Sequence, residues 1–386
     1  MRLSLQSLWD VIALLIAEWG ALFKGVYKRP VARACWLLLC SPLLVLWQCL
    51  TQLCLALDEL CFPRYHHIEI RSPVFVLGPP RSGTTYLHRQ LAESSSQYAT
   101  ASAWELFFAA SILQKKLFRG LSYLDRRMGR PLSRTFDFLE KRAVQQFSQT
   151  HPGSLKEPEE DYYALQPWLR CSGVMLAFPS WKGFRRLLPG SAEMSDNYRR
   201  ESLALYRRCL QKQLYVHGSG LTLLSKNASF SSWLDLLPEF FPDARYVICM
   251  RSPFETVPSM LSTADLAQRG FFAETHAQEM HTVLLNNMRA HYQVLNDQIP
   301  KSDDGQVVVV SHQEIKMSLE AVFGLFTSKL GLQVSEPYQE SLRKRAESSK
   351  TFQSRHHYNL ADYEVDEEDL RQNFPMTVST LQGEGL

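Results

Sequence analysis

Val74-Phe-Val-Leu-Gly78-Pro-Pro-Arg81-Ser-Gly83-Thr-Thr85-Tyr-Leu87 is a short apolar run, a turn of Gly, Pro and Ser, and the first turn of a helix. Gly78 and Gly83 stand five positions apart and Thr84-Thr85 follows, the spacing of a phosphate-binding P-loop. A nucleoside-triphosphate loop would carry Lys at position 84. Here Thr84 stands there, and the positive charge sits inside the turn at Arg81. A turn running into a helix N-terminus aims several backbone N–H groups at one point, and the helix dipole adds partial positive charge. Gly83 lets the backbone approach an anion closely, and Ser82, Thr84 and Thr85 offer hydroxyl donors. The Arg81 guanidinium offers two parallel donors to a phosphate or a sulfonate. The pattern predicts an anion site built differently from that of an ATPase.

A second pattern lies downstream. Arg245-Tyr-Val-Ile-Cys-Met250-Arg251-Ser-Pro-Phe-Glu-Thr-Val-Pro-Ser259 reads as an apolar strand ending at Arg251, then a helix opened by Pro253. Ser259 follows Arg251 by eight positions. An Arg at a strand end and a Ser on the next helix can share one phosphate dianion. Between the two patterns, Leu221 to Lys226 reads as a strand with Lys226 at its C-terminal end, the edge at which open α/β sheets bind ligands. Lys226 fits contact with a ligand there, and a plain salt bridge equally well.

Together these stretches resemble the sulfotransferases that use 3′-phosphoadenosine 5′-phosphosulfate (PAPS). Pro80-Arg81-Ser82-Gly83-Thr84-Thr85 is similar to their 5′-phosphosulfate loop, and Arg251 with Ser259 to their 3′-phosphate site. The Arg within the loop, the acidic stretch Glu157-Pro-Glu159-Glu160-Asp161 and the Phe241-Pro-Asp-Ala-Arg245 strand entry are similar to the bacterial branch. The resemblance covers roughly residues 70–375. It implies PAPS as sulfuryl donor, 3′,5′-adenosine bisphosphate (PAP) as product, and Arg81, Ser82, Gly83, Thr84, Thr85, Arg251 and Ser259 as nucleotide ligands. Arg81 and Lys226 would assist the transfer. By analogy with phosphoryl transfer, cationic and N–H donors suffice for it without a metal.

A base must take the acceptor's proton. Glu105, in Ala103-Trp-Glu105-Leu, follows the presumed second strand, where the tyrosylprotein branch of the family carries its catalytic Glu. Glu160 is the alternative, with helix capping as its other reading, and His312 is a third candidate. Lys350 and Arg355, in a His/Tyr-rich stretch, are candidates to close over the nucleotide. Two other classes compete. A P-loop nucleoside kinase or NTPase would need the missing Lys and a metal-holding Asp, whereas the later strands lead into Arg251 and His312. A non-catalytic, membrane-associated nucleotide-binding protein would need only the pocket.

The 386 residues carry a net charge of +3, which gives no strong electrostatic case for nucleic acid. The eight cysteines show no finger spacing, so no zinc site is expected. Two long apolar segments open the chain, Leu8–Phe23 and Ala34–Leu57, the latter interrupted by Ser41, Pro42, Gln48, Thr51 and Gln52. With Lys24, Lys28, Arg29 and Arg33 between them they fit a monotopic anchor on a membrane surface of a cytoplasmic enzyme. A hairpin packed on protein comes next, and a span of the Golgi type II kind after it.

Strands are expected at Val74–Gly78, Gln97–Ala101, Leu221–Lys226, Arg245–Met250 and Gln306–Ser311, alternating with helices. That pattern predicts an α/β fold with a P-loop-like parallel sheet, and Val307–Val310 reads as a strand buried on both faces. Residues 1–69 are expected to form the N-terminal helices and 70–335 the sheet domain, with a helical cap over about 102–218. Residues 336–386 would form a tail closing on the nucleotide. Aromatics in the cap (Phe107, Phe108, Trp168, Phe178, Trp181) fit core packing, or a hydrophobic, lipid-like hydroxyl acceptor.

Overall fold

Five parallel strands form one sheet in the order β2-β3-β1-β4-β5 in the computed structural model. They are β1 (Val74–Leu77), β2 (Tyr98–Ala99), β3 (Thr222–Lys226), β4 (Arg245–Met250) and β5 (Val307–Ser311). The structure describes residues 2–147, 154–188, 191, 193–276, 279–299, 305–348, 363 and 365–374. The helices are α1 (Arg2–Phe23), α2 (Pro30–Cys61), α3 (Thr84–Ser94), α4 (Ala103–Phe108), α5 (Ile112–Arg127), α6 (Pro131–Phe147), α7 (Val174–Ala177) and α8 (Asp196–His217). There follow α9 (Leu237–Phe240), α10 (Pro253–Gly270), α11 (Glu279–Gln298), α12 (His312–Met317), α13 (Leu319–Leu330), α14 (Glu336–Ser348) and α15 (Glu367–Asn373). The chain forms two compact units: a sheet unit of residues 70–100, 220–262 and 281–386, and a helical unit of residues 1–69, 101–219 and 263–280. The N-terminal helices thus belong with the cap segment.

In the sheet unit β1 is central, with Val76 in register with Lys226 on β3 and with Val247 on β4. Its four residues are all buried, which is why the run is apolar without alternation. One face packs Val74, Val76, Val247 and Val308 against Leu87, Leu91 and Phe326 from the flanking helices. On the other, the Phe75 ring meets Phe241 and Tyr246, with centroids 5.2 and 5.9 Å away. From β1 the chain runs out to the edge strand β2, returns through β3 and then crosses to β4 on the other side of β1, so the strand order reverses beside β1. That is where open α/β sheets bind ligands at the C-terminal strand ends. The expectation for Val307–Val310 needs correction: β5 is the edge strand, and Val309 is 43% exposed.

In the helical unit the polar residues that interrupt the two N-terminal helices face inward. Arg33, fully buried, donates to Glu18 at 2.6 Å and to the Ala177 and Phe271 carbonyls. Gln48 and Gln52 both donate to the Pro167 carbonyl at 2.7 Å. Asp58 caps α5 by accepting from the Ile112 and Leu113 N–H groups, and takes Lys212 at 3.0 Å. Such groups tolerate burial because each is paired. The outer faces of α1 and α2 keep large apolar side chains exposed, among them Trp9, Ile16, Leu38 and Leu46. Both helices are long and apolar enough to cross a membrane by length and composition.

Candidate functional site

The loop between β1 and α3 is shaped by contacts that leave little choice of residue. Gly78 has φ 145°, and a Cβ there would stand 2.2 Å from the Cys249 carbonyl oxygen on β4. Its N–H donates to Ser231 Oγ at 2.7 Å, and Ser231 Oγ donates back to its carbonyl at 2.9 Å. The Ser82 N–H closes a turn on the Pro79 carbonyl. Arg81 at φ 71° and Gly83 at φ 94° are both left-handed, and Gly83 caps α3 without a side chain. The N-terminus of α3 is thereby left open to an anion.

The two sequence patterns meet at this loop. Arg81 Nε donates to Ser259 Oγ at 3.0 Å, and an Arg251 Nη donates to the Arg81 carbonyl at 3.0 Å. Ser259 is buried on the first half of α10. Glu255, one turn beyond Arg251, takes the other guanidinium donors at 3.1 and 3.2 Å. The hydrogen bonds from Arg251, opposed by burial, hold the Glu255 carboxyl below its ordinary value. The Tyr292 hydroxyl donates to the Arg251 carbonyl at 2.7 Å. Arg251 is therefore braced from both sides.

Ser82 Oγ is fully buried at the loop and has no hydrogen-bond partner among the described residues. Burying a hydroxyl unpaired costs about 1–3 kcal/mol, so an orphan here suits an oxygen supplied by a ligand. His312, at the start of α12, brings a second orphan, Nδ1, which would stand 2.8 Å from a Cβ at Gly83. Burial, helped by the charges of Arg251 and Lys316, lowers the His312 pKa to about 4. The ring is thus neutral at pH 7, and Nδ1 is a polar atom facing the loop.

Arg81, Ser82, Gly83, Thr84, Thr85, Arg251 and Ser259 accordingly form one cluster. Lys226 ends β3 beside β1 and is 4% exposed. Ser231, Glu255, Tyr292 and His312 complete the cluster. Of these, the Arg251-to-Glu255 spacing is the clearest signal in the sequence, since Arg251 stands two positions before α10 and Glu255 lies in its first turn. Ser231 carries no such signal, because its role follows from the packing of β1 against the segment after β3. Lys350 and Arg355 lie outside the described residues.

Glu105 belongs to the helical unit and is 2% exposed. It closes a capping box on α4, taking Ser102 N at 3.1 Å and Ser102 Oγ at 2.9 Å. His217 Nε2 lies 2.8 Å from its other oxygen, Gln213 donates at 3.3 Å, and Lys115 and Arg119 stand at 3.9 and 3.8 Å. Burial alone would raise its pKa. The His217 hydrogen bond and the Lys115 charge overcome that and carry it well below the carboxylate range. Its carboxylate is thus held by partners of the helical unit on both oxygens. Glu160 begins the short 3-10 helix Asp161–Trp168, is half-buried, and does not spend its side chain on capping that helix. Two of the cap aromatics have packing roles: Trp181 is buried, and the Phe178 ring packs on Trp36.

Residues 73–336 match a family model described as the sulfotransferase family. The chain is similar in fold to sulfotransferase STF9 from Mycobacterium avium, with TM-score 0.70, 17% identity, and coverage of 97% of this chain and 91% of that one. It is also similar to sulfotransferase STF1 from Mycobacterium tuberculosis H37Rv, with TM-score 0.67, 19% identity, and coverage of 96% and 92%. No curated protein gives a significant match in sequence.

Proposed function

The chain belongs to the sulfotransferase family, and from that premise we propose that it transfers the sulfuryl group of PAPS to a hydroxyl, less readily an amine, of a hydrophobic acceptor. PAPS, when bound, supplies an activated sulfuryl group on a phosphate leaving group. The loop N–H groups, with Arg81, Ser82, Thr84 and Thr85, bind the phosphosulfate end. Arg251 and Ser259 hold the 3′-phosphate, and Lys226 adds positive charge at the strand edge. These donors neutralise the charge that grows on the leaving oxygen, so the reaction needs no divalent metal. The observation that carries the reading is the pair of contacts through Arg81, to Ser259 and from Arg251, which joins the two nucleotide patterns at one loop.

For the proton of the acceptor hydroxyl we assign Glu160 as base and Glu105 as the residue that fixes α4. The test is PAP release from PAPS with long-chain alcohols and phenols as acceptors, in the presence of a chelator. Glu160→Gln is expected to lower kcat by about 100-fold or more while PAP binding stays unchanged. Glu105→Gln is expected to lower the melting temperature instead, since it leaves Lys115 buried beside a neutral amide. Normal turnover by Glu160→Gln, with a folded and inactive Glu105→Gln, would return the base role to Glu105. Chelator-sensitive turnover would remove the metal-free reading.

A further inference from the structure

The α5–α6 hairpin of the helical unit has a feature that the transfer reaction does not use. Between residues 116 and 134 every exposed charge is basic: Lys116, Arg126, Arg127, Arg130 and Arg134, beside Arg119, whose guanidinium is engaged by Glu105 and the Val216 carbonyl. The one acid in that stretch, Asp125, is 4% exposed and is consumed by the turn. It accepts from the N–H groups of Leu132 at 2.8 Å and Ser133 at 3.0 Å, and from the Ser133 hydroxyl. Its carbonyl takes the Arg130 N–H at 2.7 Å, and the chain turns through left-handed Gly129 and Arg130. The turn is therefore a built structure whose negative charge is used internally, and its outward charge is of one sign.

Large apolar side chains are interleaved with these cations. Leu117, Leu121, Leu124, Met128, Leu132 and Phe136 are between 44% and 75% exposed. The inward positions of α5 include Gln114, Lys115 and Asp125. A helix in water shows the opposite arrangement. The same inversion marks α1 and α2, with Glu18, Arg33, Gln48 and Asp58 inside and leucines outside. Exposed leucines in this number suit an acyl environment, and arginines among them suit lipid phosphates.

We infer that the α5–α6 hairpin docks on an anionic phospholipid bilayer, with its leucines entering the acyl boundary and its arginines paired to headgroup phosphates. Charge complementarity selects this occupant. A second copy of the chain meeting this face about a two-fold axis would set five cations against five. A nucleic acid would satisfy the arginines and leave the leucines in water.

The experiment is flotation of the full chain with vesicles of phosphatidylcholine alone and of phosphatidylcholine mixed with phosphatidylglycerol. The wild type is expected to favour the anionic vesicles at least about tenfold, and to lose that preference as salt rises. Combined Arg126→Gln, Arg127→Gln and Arg134→Gln is expected to abolish the preference while leaving helicity unchanged. Combined Leu121→Gln and Leu124→Gln, which keeps every charge, is expected to weaken binding to both vesicle types. The inference is overturned by equal binding of the wild type to both vesicles, by an unchanged preference in the arginine variant, or by a dimer that buries this face and does not bind vesicles.

Discussion

Arg251→Ala is expected to weaken PAP binding by about 100-fold, equivalent to about 2.7 kcal/mol. The side chain is expected to act twice. Its guanidinium is a charge-assisted donor to a phosphate dianion, a class of bond worth about 1.5–3 kcal/mol. It also holds the loop, since it donates to the Arg81 carbonyl at 3.0 Å. Removing it takes away one ligand and loosens the carbonyl beneath another. Stability should change little, because its remaining partner, Glu255, is an exposed residue four positions along. Calorimetry with PAP, beside a thermal melt, separates the two effects. Arg251→Lys should recover only part of the affinity, because an ammonium cannot brace the loop and grip a phosphate with the same fixed fork. Unchanged affinity in Arg251→Ala would remove Arg251 from the nucleotide site.

Gly78→Ala is expected to destabilise the protein by about 3 kcal/mol or more, in contrast to a smaller cost for Gly83→Ala. Both glycines have positive φ, but their surroundings differ. The new methyl at Gly78 would stand 2.2 Å from a backbone carbonyl of β4 and 2.7 Å from Ser82 Oγ. The sheet must part there or the loop must move. At Gly83 it meets the His312 ring at 2.8 Å, a side chain that can turn aside. Gly83→Ala should therefore remain folded and lose PAP binding, because the methyl and the displaced ring fill the mouth of the loop. Urea unfolding ranks the two, and equal midpoints would contradict the tight contact at Gly78.

Much of the fold and of the nucleotide cluster was legible because it rests on local chemistry. Gly78 marks a close backbone approach that only glycine tolerates, and the apolar run before it marks a buried strand. Arg251 and Ser259, marked by type and spacing, both reach Arg81. What was not legible depends on tertiary neighbours. Val307–Val310 is as apolar as a central strand, yet β5 lies at the edge, and strand order is not written in hydropathy. Gln48, Thr51 and Gln52 looked like interruptions in an apolar helix. They are instead the side that meets protein, paired with buried partners. Glu105 was legible in two ways. Ser102-x-x-Glu105 has capping-box spacing, and a search for a base passes over that plainer reading. The His217, Gln213, Lys115 and Arg119 side chains that surround it come from tertiary neighbours the sequence does not place.

The central claim is that the Arg81 loop and the Arg251–Ser259 pair hold one 3′-phosphorylated adenine nucleotide. Isothermal calorimetry of the wild-type chain with PAP, and separately with ATP plus Mg²⁺, tests it most directly. Tight binding of PAP, unchanged by a chelator and much stronger than binding of ATP, is the result expected. Preference for ATP with Mg²⁺, or no heat with PAP, would contradict it.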